Sequence, residues 1–397
     1  MWRRSRVVWA CSASNSSTDH SPTVHRQSHR GEVSAVLDDH LQVSPFGVYV
    51  HVPFCAKRCD YCAFATWTDR HHLMGSHTAA TLREIARSVE AGMPAATSVF
   101  FGGGTPSLLP AAQLCSIVAA IPVVDGAEIT VECNPDSVSD ELFSAYRGVG
   151  VNRISFGVQS MVDEVLMSLG RSHNRANVEV GVELAKRHDF TFNLDLIYGV
   201  AGESLTQWRS TVEHVLALEP AHVSAYALTV EAGTPLANDS SRHPDDDDQA
   251  DKYLLTTQLL GAAGLDNYEI SNWARPGYEC RHNWLYWMQG EYAGFGCAAH
   301  SHRQHRRWWN VRTPERYVAL SESGASTEAA SDEIPAAERR IEGLQLALRT
   351  RLGVPIDSLS IRDREELHEL IEERPGGHIG LTPAGRMLAN EVAIRLR

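Results

Sequence analysis

The 397-residue chain contains little cysteine and no excess of basic residues. Its eight cysteines are about 2% of the sequence, and its net charge is −13. No run of about 18 apolar residues is present, which predicts that no helix spans a membrane. Nucleic-acid backbones bind basic surfaces, so the acidic charge argues against nucleic acid as a partner. Sparse cysteines without a secretory leader are typical of a reducing cytoplasmic compartment, which is the localisation we expect.

Residues 1–44 differ in composition from the rest of the chain. They are rich in Arg, Ser and His and show no sustained hydrophobic periodicity. This pattern predicts a disordered N-terminal extension. An organelle transit peptide is the alternative, but the acidic Asp38 and Asp39 and the lack of an amphipathic helix argue against it.

From residue 47 onward, apolar β-branched runs alternate with helical patterns. The runs lie at 47–52, 97–103, 127–133, 151–158, 190–199 and 221–230. Strand–helix alternation of this kind predicts βαβ units and a parallel sheet. Six units close only part of a barrel, with the helices outside and reactive residues at the C-terminal strand ends. We therefore predict an α/β fold, a partial (β/α)6 TIM-like barrel over residues 45–280.

The pattern changes after about residue 280. Aromatic- and Gly-rich sequence (281–310) is followed by segments that predict helices at 335–350, 365–373 and 382–397, around a short strand near 377–382. We predict a smaller, mainly helical C-terminal domain over residues 281–397. The acidic run at 245–248 predicts a helix start, because carboxylates in a first turn interact favourably with the helix dipole.

Three cysteines lie close together directly after the first predicted strand. Cys55, Cys59 and Cys62 have the spacing C-x3-C-x2-C, and clustered thiols in a reducing compartment indicate a metal or catalytic site. Structural zinc takes four ligands, and nearby histidines such as His51 and His71 keep zinc open as an alternative. A [4Fe–4S] cluster held by three thiolates leaves one iron for a non-protein ligand. S-adenosylmethionine can fill that position and supply radical chemistry.

The segment YVHVPFCAKRCDYCAF resembles the signature of the radical S-adenosylmethionine superfamily, in its coproporphyrinogen-oxidase-like branch. Five further segments resemble motifs of this branch, in the same order. They are FFGGGTPSLL (100–109), VECNPDSV (131–138), GVNRISFGVQSM (150–161), LGRSHN (169–174) and FNLDLIYGVAGES (192–204). The resemblance covers about 350 residues from Val48. It implies a [4Fe–4S] cluster and S-adenosylmethionine as cofactors.

The resemblance also implies roles for individual residues, although it assigns no catalytic residue. The cluster ligands are the three cysteines. The counterparts of Gly103, Gly104 and Thr105 contact S-adenosylmethionine, and a carboxylate matching Glu132 binds it. Other implied contacts lie near the nucleoside, at a second cofactor position, or beside the cluster: Gln159, Arg171, Asp195, Tyr49 and Tyr61.

One position separates two functions within this branch. Oxygen-independent coproporphyrinogen III oxidases carry a further cysteine two residues after the third, where this chain has Phe64. A phenylalanine side chain cannot ligate metal. The HemW-type haem chaperones have an apolar or aromatic residue there, so the resemblance implies a protein that binds haem and transfers it to an acceptor protein. The alternative is an oxygen-independent coproporphyrinogen III oxidase of porphyrin biosynthesis.

The segment CRHNWLYW (280–287) fits the H-N-x-x-Y-W pattern of the haem chaperones. Histidine is a common axial haem ligand and aromatic rings stack on flat macrocycles, so His282 is the first candidate haem ligand. The alternative is an aromatic patch that seals the barrel. Further candidates for the iron or the propionates are His300, His302, His305, Arg303, Arg306 and Arg307. The sequence leaves open the acceptor, a monomeric or dimeric state, and peripheral association with a membrane.

Overall fold

A computed structural model describes residues 45–396, so the predicted N-terminal extension lies outside the described residues. The strands are β1 (Phe46–Val52), β2 (Ala96–Gly103), β3 (Val123–Cys133), β4 (Arg153–Gln159), β5 (Thr191–Tyr198), β6 (His222–Ala227), β7 (Asp266–Glu269), β8 (Asn272–Ala274), β9 (Glu291–Phe295), β10 (His300–Arg303), β11 (Arg306–Asn310), β12 (Glu328–Glu333), β13 (Val354–Pro355), β14 (Ile371–Arg374) and β15 (His378–Leu381).

The α-helices are α1 (Met74–Glu90), α2 (Ala111–Ala120), α3 (Asp140–Gly148), α4 (Asp163–Ser168), α5 (Arg175–Arg187), α6 (Leu205–Ala217), α7 (Asp246–Ala262), α8 (Arg281–Trp287), α9 (Pro314–Glu322), α10 (Ala336–Ala347), α11 (Ile361–Glu366), α12 (Pro383–Met387) and α13 (Ala389–Arg395). Short 3-10 turns lie at His71–Leu73, Pro106–Leu108, Pro135–Ser137, Leu236–Asn238, Ser240–Arg242 and Ile356–Ser358. Helix α7 begins directly after Asp245, whose side chain caps it, as the acidic run predicted.

The six predicted strands form the parallel centre of one twelve-stranded sheet. The strand order is β12-β11-β10-β9-β1-β2-β3-β4-β5-β6-β8-β7, so the described sheet is open, with β12 and β7 at its edges. Helices follow the strands as expected, and side chains capping the starts of α3, α5 and α6 satisfy backbone amides. The predicted partial (β/α)6 barrel is confirmed.

Side chains alternate between the two faces of the sheet. Val50, Phe101 and Leu194 point outward and pack with helix residues such as Leu114 and Val182 in the main apolar core. The opposite face, which we call the inner face, is polar. Register places these residues on it: Tyr49, His51, Glu132, Ser155, Asn193, Asp195, His222 and Ser224.

The sheet continues beyond the predicted barrel. Strand β9 pairs in parallel with β1, and β10, β11 and β12 follow as antiparallel strands. A separate apolar core lies farther along the chain and includes Leu344, Leu359 and Leu381. The predicted boundary between residues 280 and 281 stays a prediction, and the sheet crosses it.

The C-terminal segment contains helices and a small sheet in the order β13-β15-β14. The predicted helix over 365–373 is wrong beyond its first two residues, because α11 ends at Glu366, residues 367–370 form a turn and Ile371–Arg374 forms β14. The apolar side chains there fit a helical spacing, but residue Ile371 pairs with Leu381 in an antiparallel ladder. The predicted helix over 382–397 is divided into two helices at Leu388.

Candidate functional site

The three clustered cysteines lie in a loop that begins directly after β1. Backbone hydrogen bonds close the loop, since the amide of Cys55 donates to Trp67 O (3.1 Å) and the amide of Trp67 donates to Pro53 O (2.8 Å). The amide of Cys62 donates to Cys59 O at 3.2 Å. All three thiols are free and partly exposed. The loop therefore presents three thiols at the C-terminal end of the parallel strands.

The electrostatics of these thiols fit a cationic group. Burial raises the pKa of Cys55, and the charges of Cys62 and Cys59 raise it further, against a hydrogen bond from Thr105. Burial also raises the pKa of Cys62, and Cys59 adds to this effect. Neighbouring thiolates repel one another, so a positive group such as iron among them would favour the ionised forms of Cys55 and Cys62.

Within residues 45–396, no group of three or more His, Cys, Asp or Glu side chains is arranged to hold a single metal ion. In a [4Fe–4S] cluster each thiolate binds a different iron. A structural zinc ion takes four ligands on one metal.

The glycines at the end of β2 form a tight cradle beside this loop. Gly103 has φ +107°, and its amide donates to Glu132 Oε2 at 3.2 Å. A Cβ at Gly103 would lie 2.4 Å from the ring of His51, and one at Gly104 would lie 2.6 Å from Phe54 O. Only glycine fits both positions, because a side chain would meet the His51 ring at Gly103 and a backbone carbonyl at Gly104.

Two carboxylates lie on the inner face near this cradle. Burial raises the pKa of Glu132 to about 8, and the negative charge of Asp195 contributes to this shift. Asp195 accepts hydrogen bonds from Ser155 Oγ and Asn193 Nδ2, both at 2.8 Å, and burial raises its pKa as well. A ligand with a positive amino or sulfonium group would favour ionisation of both carboxylates.

Arg171 joins the cysteine loop to the strand ends. Its Nη1 donates to Cys59 Sγ at 3.3 Å, and its Nη2 donates to Asn134 Oδ1 (2.8 Å) and to Gly157 O (2.9 Å). Gln159 ends β4 in the left-handed region at φ 65°, next to a register shift in the ladder. Both predicted residues thus lie at the same end of the strands as the cysteines.

The two predicted tyrosines lie on opposite sides of the loop. Tyr49 forms a hydrogen bond through its hydroxyl with His51 Nδ1 at 3.1 Å, and its ring stacks on Phe100 with a centroid distance of 6.5 Å. Tyr61 packs against an apolar cluster that includes Ile197 and Leu228. Tyr49 is linked to the loop through His51, whose Nε2 bonds Ala65 O at 2.9 Å, and Tyr61 belongs to the loop itself.

A cavity of about 320 Å³ opens beside Cys59. Its volume lies within the range of small-ligand pockets, about 300–1,000 Å³. Its lining is mostly polar and includes Lys57, Thr105, Ser107, Asn134, Asp136, Arg171 and Ser172. The predicted Thr105 and Arg171 therefore border one space adjacent to a predicted cluster ligand.

His282 lies elsewhere, toward the opposite end of the strands. Its side chain is 1% exposed, its Nδ1 bonds Ser98 Oγ (3.0 Å) and its Nε2 bonds the hydroxyl of Tyr286 (2.9 Å). The ring stacks on Phe100, and burial lowers its pKa to about 3. Since both nitrogens are engaged inside the fold, this placement argues against His282 as a haem ligand and favours the sealing role.

The other candidate haem residues lie on β10, β11 and the turn between them. His300 is exposed and stacks on Trp309. His302 is buried, with Nδ1 bonded to Gly290 O, and His305 contacts Arg339. The three candidate arginines all have carboxylate partners: Arg303 with Glu291, Arg306 with Glu328 and Glu333, and Arg307 with Glu342. These ion pairs argue against the arginines as open propionate sites.

The sequence prediction missed several residues around the loop. Asn134 follows Glu132 at the same strand end, and that position was a usable signal. Asp60 in the cysteine loop accepts from Arg242 Nη2 at 2.9 Å, across 182 residues of sequence. No local pattern points to such a long-range contact, which ties the segment after β6 to the loop.

Known proteins resemble this chain over most of its length. The Radical SAM superfamily profile matches residues 49–215. The heme chaperone HemW of Mycobacterium tuberculosis is 38% identical over 370 residues, covering 88% of this chain and 94% of the relative. The heme chaperone HemW of Bacillus subtilis is 32% identical, covering 87% and 97%. The chain belongs to the HemW family.

A solved structure supports the fold of this HemW family member. Coproporphyrinogen III oxidase (HemN) of Escherichia coli superposes with a TM-score of 0.78 over 93% of each chain, at 19% identity. At that identity the likeness concerns the fold alone. Within residues 45–396, no helix is long and apolar enough to cross a membrane.

Proposed function

We propose that this protein is a haem chaperone, which binds haem and passes it to an acceptor protein. This chain aligns with nearly the whole length of two relatives, and both are named heme chaperone HemW. The observation that carries the proposal is the loop after β1, with three thiols and a phenylalanine at the position where a fourth cysteine would distinguish an oxidase.

The proposal includes a [4Fe–4S] cluster held by Cys55, Cys59 and Cys62. Their free, partly exposed thiols and mutual electrostatic influence fit that group. When bound, the cluster with S-adenosylmethionine supplies one-electron chemistry. Gly103 and Gly104 lie at the end of β2 beside this loop, where the resemblance implies contact with S-adenosylmethionine.

The remaining predicted contacts support S-adenosylmethionine at this end of the strands. Glu132 and Asp195 offer negative charge to its amino and sulfonium groups, and Arg171 offers positive charge to its carboxylate. Thr105 and Arg171 border the cavity beside Cys59. Gln159, Tyr49 and Tyr61 complete the proposed surroundings at the strand ends and the loop.

Phe64 favours the chaperone over the oxidase. Its side chain is 66% exposed on the cysteine loop, where it supplies no sulfur for metal or for electron donation. An oxidase of this branch would need another residue for that role. We further propose a cytoplasmic localisation, with no nucleic-acid partner. The acceptor and the oligomeric state remain to be identified by experiment.

Two anaerobic assays on reconstituted protein test the proposal. The first titrates haemin and measures a stoichiometric change in the Soret band, which we expect. The second supplies coproporphyrinogen III, S-adenosylmethionine and a reductant, and measures protoporphyrinogen, which we expect to be absent. Formation of that product at a rate comparable with a known oxidase would replace the chaperone assignment with the oxidase.

A further inference from the structure

The inner face of the sheet extends beyond the predicted barrel, onto β9, β10 and β11. Tyr49 of β1 pairs with Gly294, and Gly47 pairs with Tyr292. Tyr292 pairs with His302 of β10. Directly paired residues share a face of a sheet, so His302 and its neighbour at position 300 lie on the same face as the proposed cofactor residues.

Helix α10 covers the part of this extension that lies nearer the N-terminal end of β1. Arg307 pairs across the strands with His302 and forms an ion pair with Glu342 of α10 at 2.7 Å. His302 is 7% exposed, and its Nε2 has no hydrogen-bond partner in the described part of the chain. That nitrogen is enclosed, so a large flat ligand cannot reach it in this conformation.

The part of this extension nearer the C-terminal end of β1 is open to solvent at His300. His300 pairs across the strands with Trp309, and the two rings stack with a centroid distance of 5.5 Å and an interplanar angle of 21°. His300 is exposed, and among residues 45–396 its imidazole nitrogens have no hydrogen-bond partner. A histidine ring held on one face by an indole, with both nitrogens open, is ready to coordinate a metal.

The other histidines on or near this face are engaged. His51 bonds Tyr49 and the carbonyl of Ala65, and His77 contacts the amide of Cys297. His282 uses both ring nitrogens inside the fold. Of the histidines compared here, His300 is therefore the one that is exposed and whose ring nitrogens have no hydrogen-bond partner among the described residues.

The position of His300 also fits the rest of the site. Strand β10 runs antiparallel to β9 and β1, so His300 lies nearer than His302 to the end of β1 that carries the cysteine loop. The ring of His51, which bonds Ala65 O of that loop at 2.9 Å, experiences the electrostatic influence of His300. A ligand on His300 would therefore lie on the cysteine-loop side of the inner face.

We propose that His300 is the axial ligand of the haem iron, with Trp309 holding its imidazole in place. The iron accepts a lone pair from an imidazole nitrogen, and no redox change is required. This inference rests on the proposed haem-chaperone function and adds the residue that binds the iron. Trp309 acts as a positioning residue, since it contacts the ligand ring rather than the iron.

The test is haemin titration of full-length protein carrying the reconstituted cluster, recorded as a difference spectrum against the same protein without haemin. We expect His300→Ala to weaken haemin binding at least tenfold and to shift the Soret maximum. The matched control His305→Ala removes an exposed histidine from the turn between the same two strands. It should bind haemin as the unmodified protein does.

Chemical rescue separates ligation from a structural effect. His300→Gly should recover most of the lost Soret signal when free imidazole is added, because the small molecule can occupy the vacated position. Trp309→Ala should weaken binding by two- to fivefold, while Trp309→Phe stays close to the unmodified protein. Cluster absorbance and circular dichroism check that each variant is folded.

Each of the following outcomes would overturn this inference. Haemin binding by His300→Ala with unchanged affinity and Soret position would overturn this inference and leave the proposed function intact. Equal weakening in His300→Ala and His305→Ala, or a failure of imidazole to restore the signal, would also overturn it. No haemin binding by the unmodified protein would overturn the proposed function together with this inference.

Discussion

The two ends of the inner face differ in how their polar groups are satisfied. The lower end lies at the N-terminal ends of the parallel strands, and the upper end lies at their C-terminal ends beside the cysteine loop. At the lower end, Glu128 and Arg153 form a buried ion pair at 3.5 Å, and Arg153 also donates to Tyr278 O at 3.0 Å. The amide of His282 donates to Glu128 Oε1 at 3.2 Å. At the upper end lie three free thiols and a glycine with a left-handed backbone at Gly103.

This contrast distinguishes structural polarity from functional polarity. Buried polar groups cost stability unless they are paired. Glu128 and Arg153 give each other a buried partner of opposite charge, although Arg153 Nη2 has no hydrogen-bond partner among the described residues. Thiols that repel one another gain no such stabilisation from their neighbours. The difference implies that substitutions at the lower end alter stability, whereas those at the upper end alter ligand binding.

The largest expected effect is at the upper end. Cys59→Ser should abolish the absorbance of the cluster and most of the bound iron, because serine is a poor ligand for this iron site. The measurement is iron content and visible absorbance after anaerobic reconstitution. Cys115→Ser is the control, since its thiol only contacts Ala145 O on the outer side of the fold. Retention of full iron by Cys59→Ser would contradict the ligand assignment.

The lower end should respond to charge removal with a loss of stability. Glu128→Ala leaves the 4%-exposed Arg153 without its buried partner, and we expect the free energy of unfolding to fall by about 3–5 kcal/mol. Urea denaturation measures it. The exposed pair of Asp140 and Arg187 provides the control, since Asp140→Ala should cost much less than Glu128→Ala. Equal costs in the two variants would remove the distinction between a buried and an exposed pair.

Sequence periodicity predicted the six parallel strands because each is long, apolar on one face and followed by a helix. It could not predict β12, whose residues EAASDE have no strand-like pattern. In that strand, Glu333 lies opposite Arg306 and Asp332 lies opposite Arg307 of β11, and Arg306 forms an ion pair with Glu333 at 3.9 Å. Pairing with a partner strand leaves no local signal in the sequence.

The candidate site also has features that the sequence indicated and others that it could not indicate. The resemblance pointed to Glu132, Asp195 and the glycines. The structure places Glu132 and the glycines at the C-terminal ends of parallel strands and Asp195 in the middle of β5. The hydrogen-bonding state of a side chain was beyond the sequence. His282 and His300 are both histidines beside aromatic residues, yet one is enclosed with both nitrogens engaged and the other is exposed.

A pH-dependent prediction concerns Glu132, whose pKa burial raises from an ordinary value to about 8. Between about pH 4.5 and pH 8, the folded protein holds a proton that the unfolded chain has released. Stability is therefore full below that window and falls as pH rises through it, by roughly 5 kcal/mol. Glu132→Gln should flatten this fall in urea denaturation of cluster-free protein, whereas the exposed-helix control Glu183→Gln should leave it unchanged. A slope that persists in Glu132→Gln would assign it to other groups.

Two glycines with similar backbone angles separate strain from ligand space. Gly103→Ala and Gly126→Ala both place a side chain at positive φ, which costs about 1 kcal/mol. Only the first also meets a neighbour, the His51 ring at 2.4 Å, whereas Gly126 has open space around it. Gly103→Ala should lose more stability than Gly126→Ala because of this clash, and only Gly103→Ala should lose S-adenosylmethionine binding by calorimetry. Loss of binding in both would indicate a general effect of destabilisation.

The smallest expected effect on stability is at Phe64, on the cysteine loop itself. Its ring is 66% exposed, whereas Phe54, ten residues earlier, is fully buried. Phe64→Ala should change the free energy of unfolding by less than about 0.5 kcal/mol and leave the iron content unchanged. Phe54→Ala should cost about 3–5 kcal/mol, because it leaves a cavity in the core. A large stability loss in Phe64→Ala would mean that the loop packs through this ring, and the upper end would then resemble the lower end in being held by its own contacts.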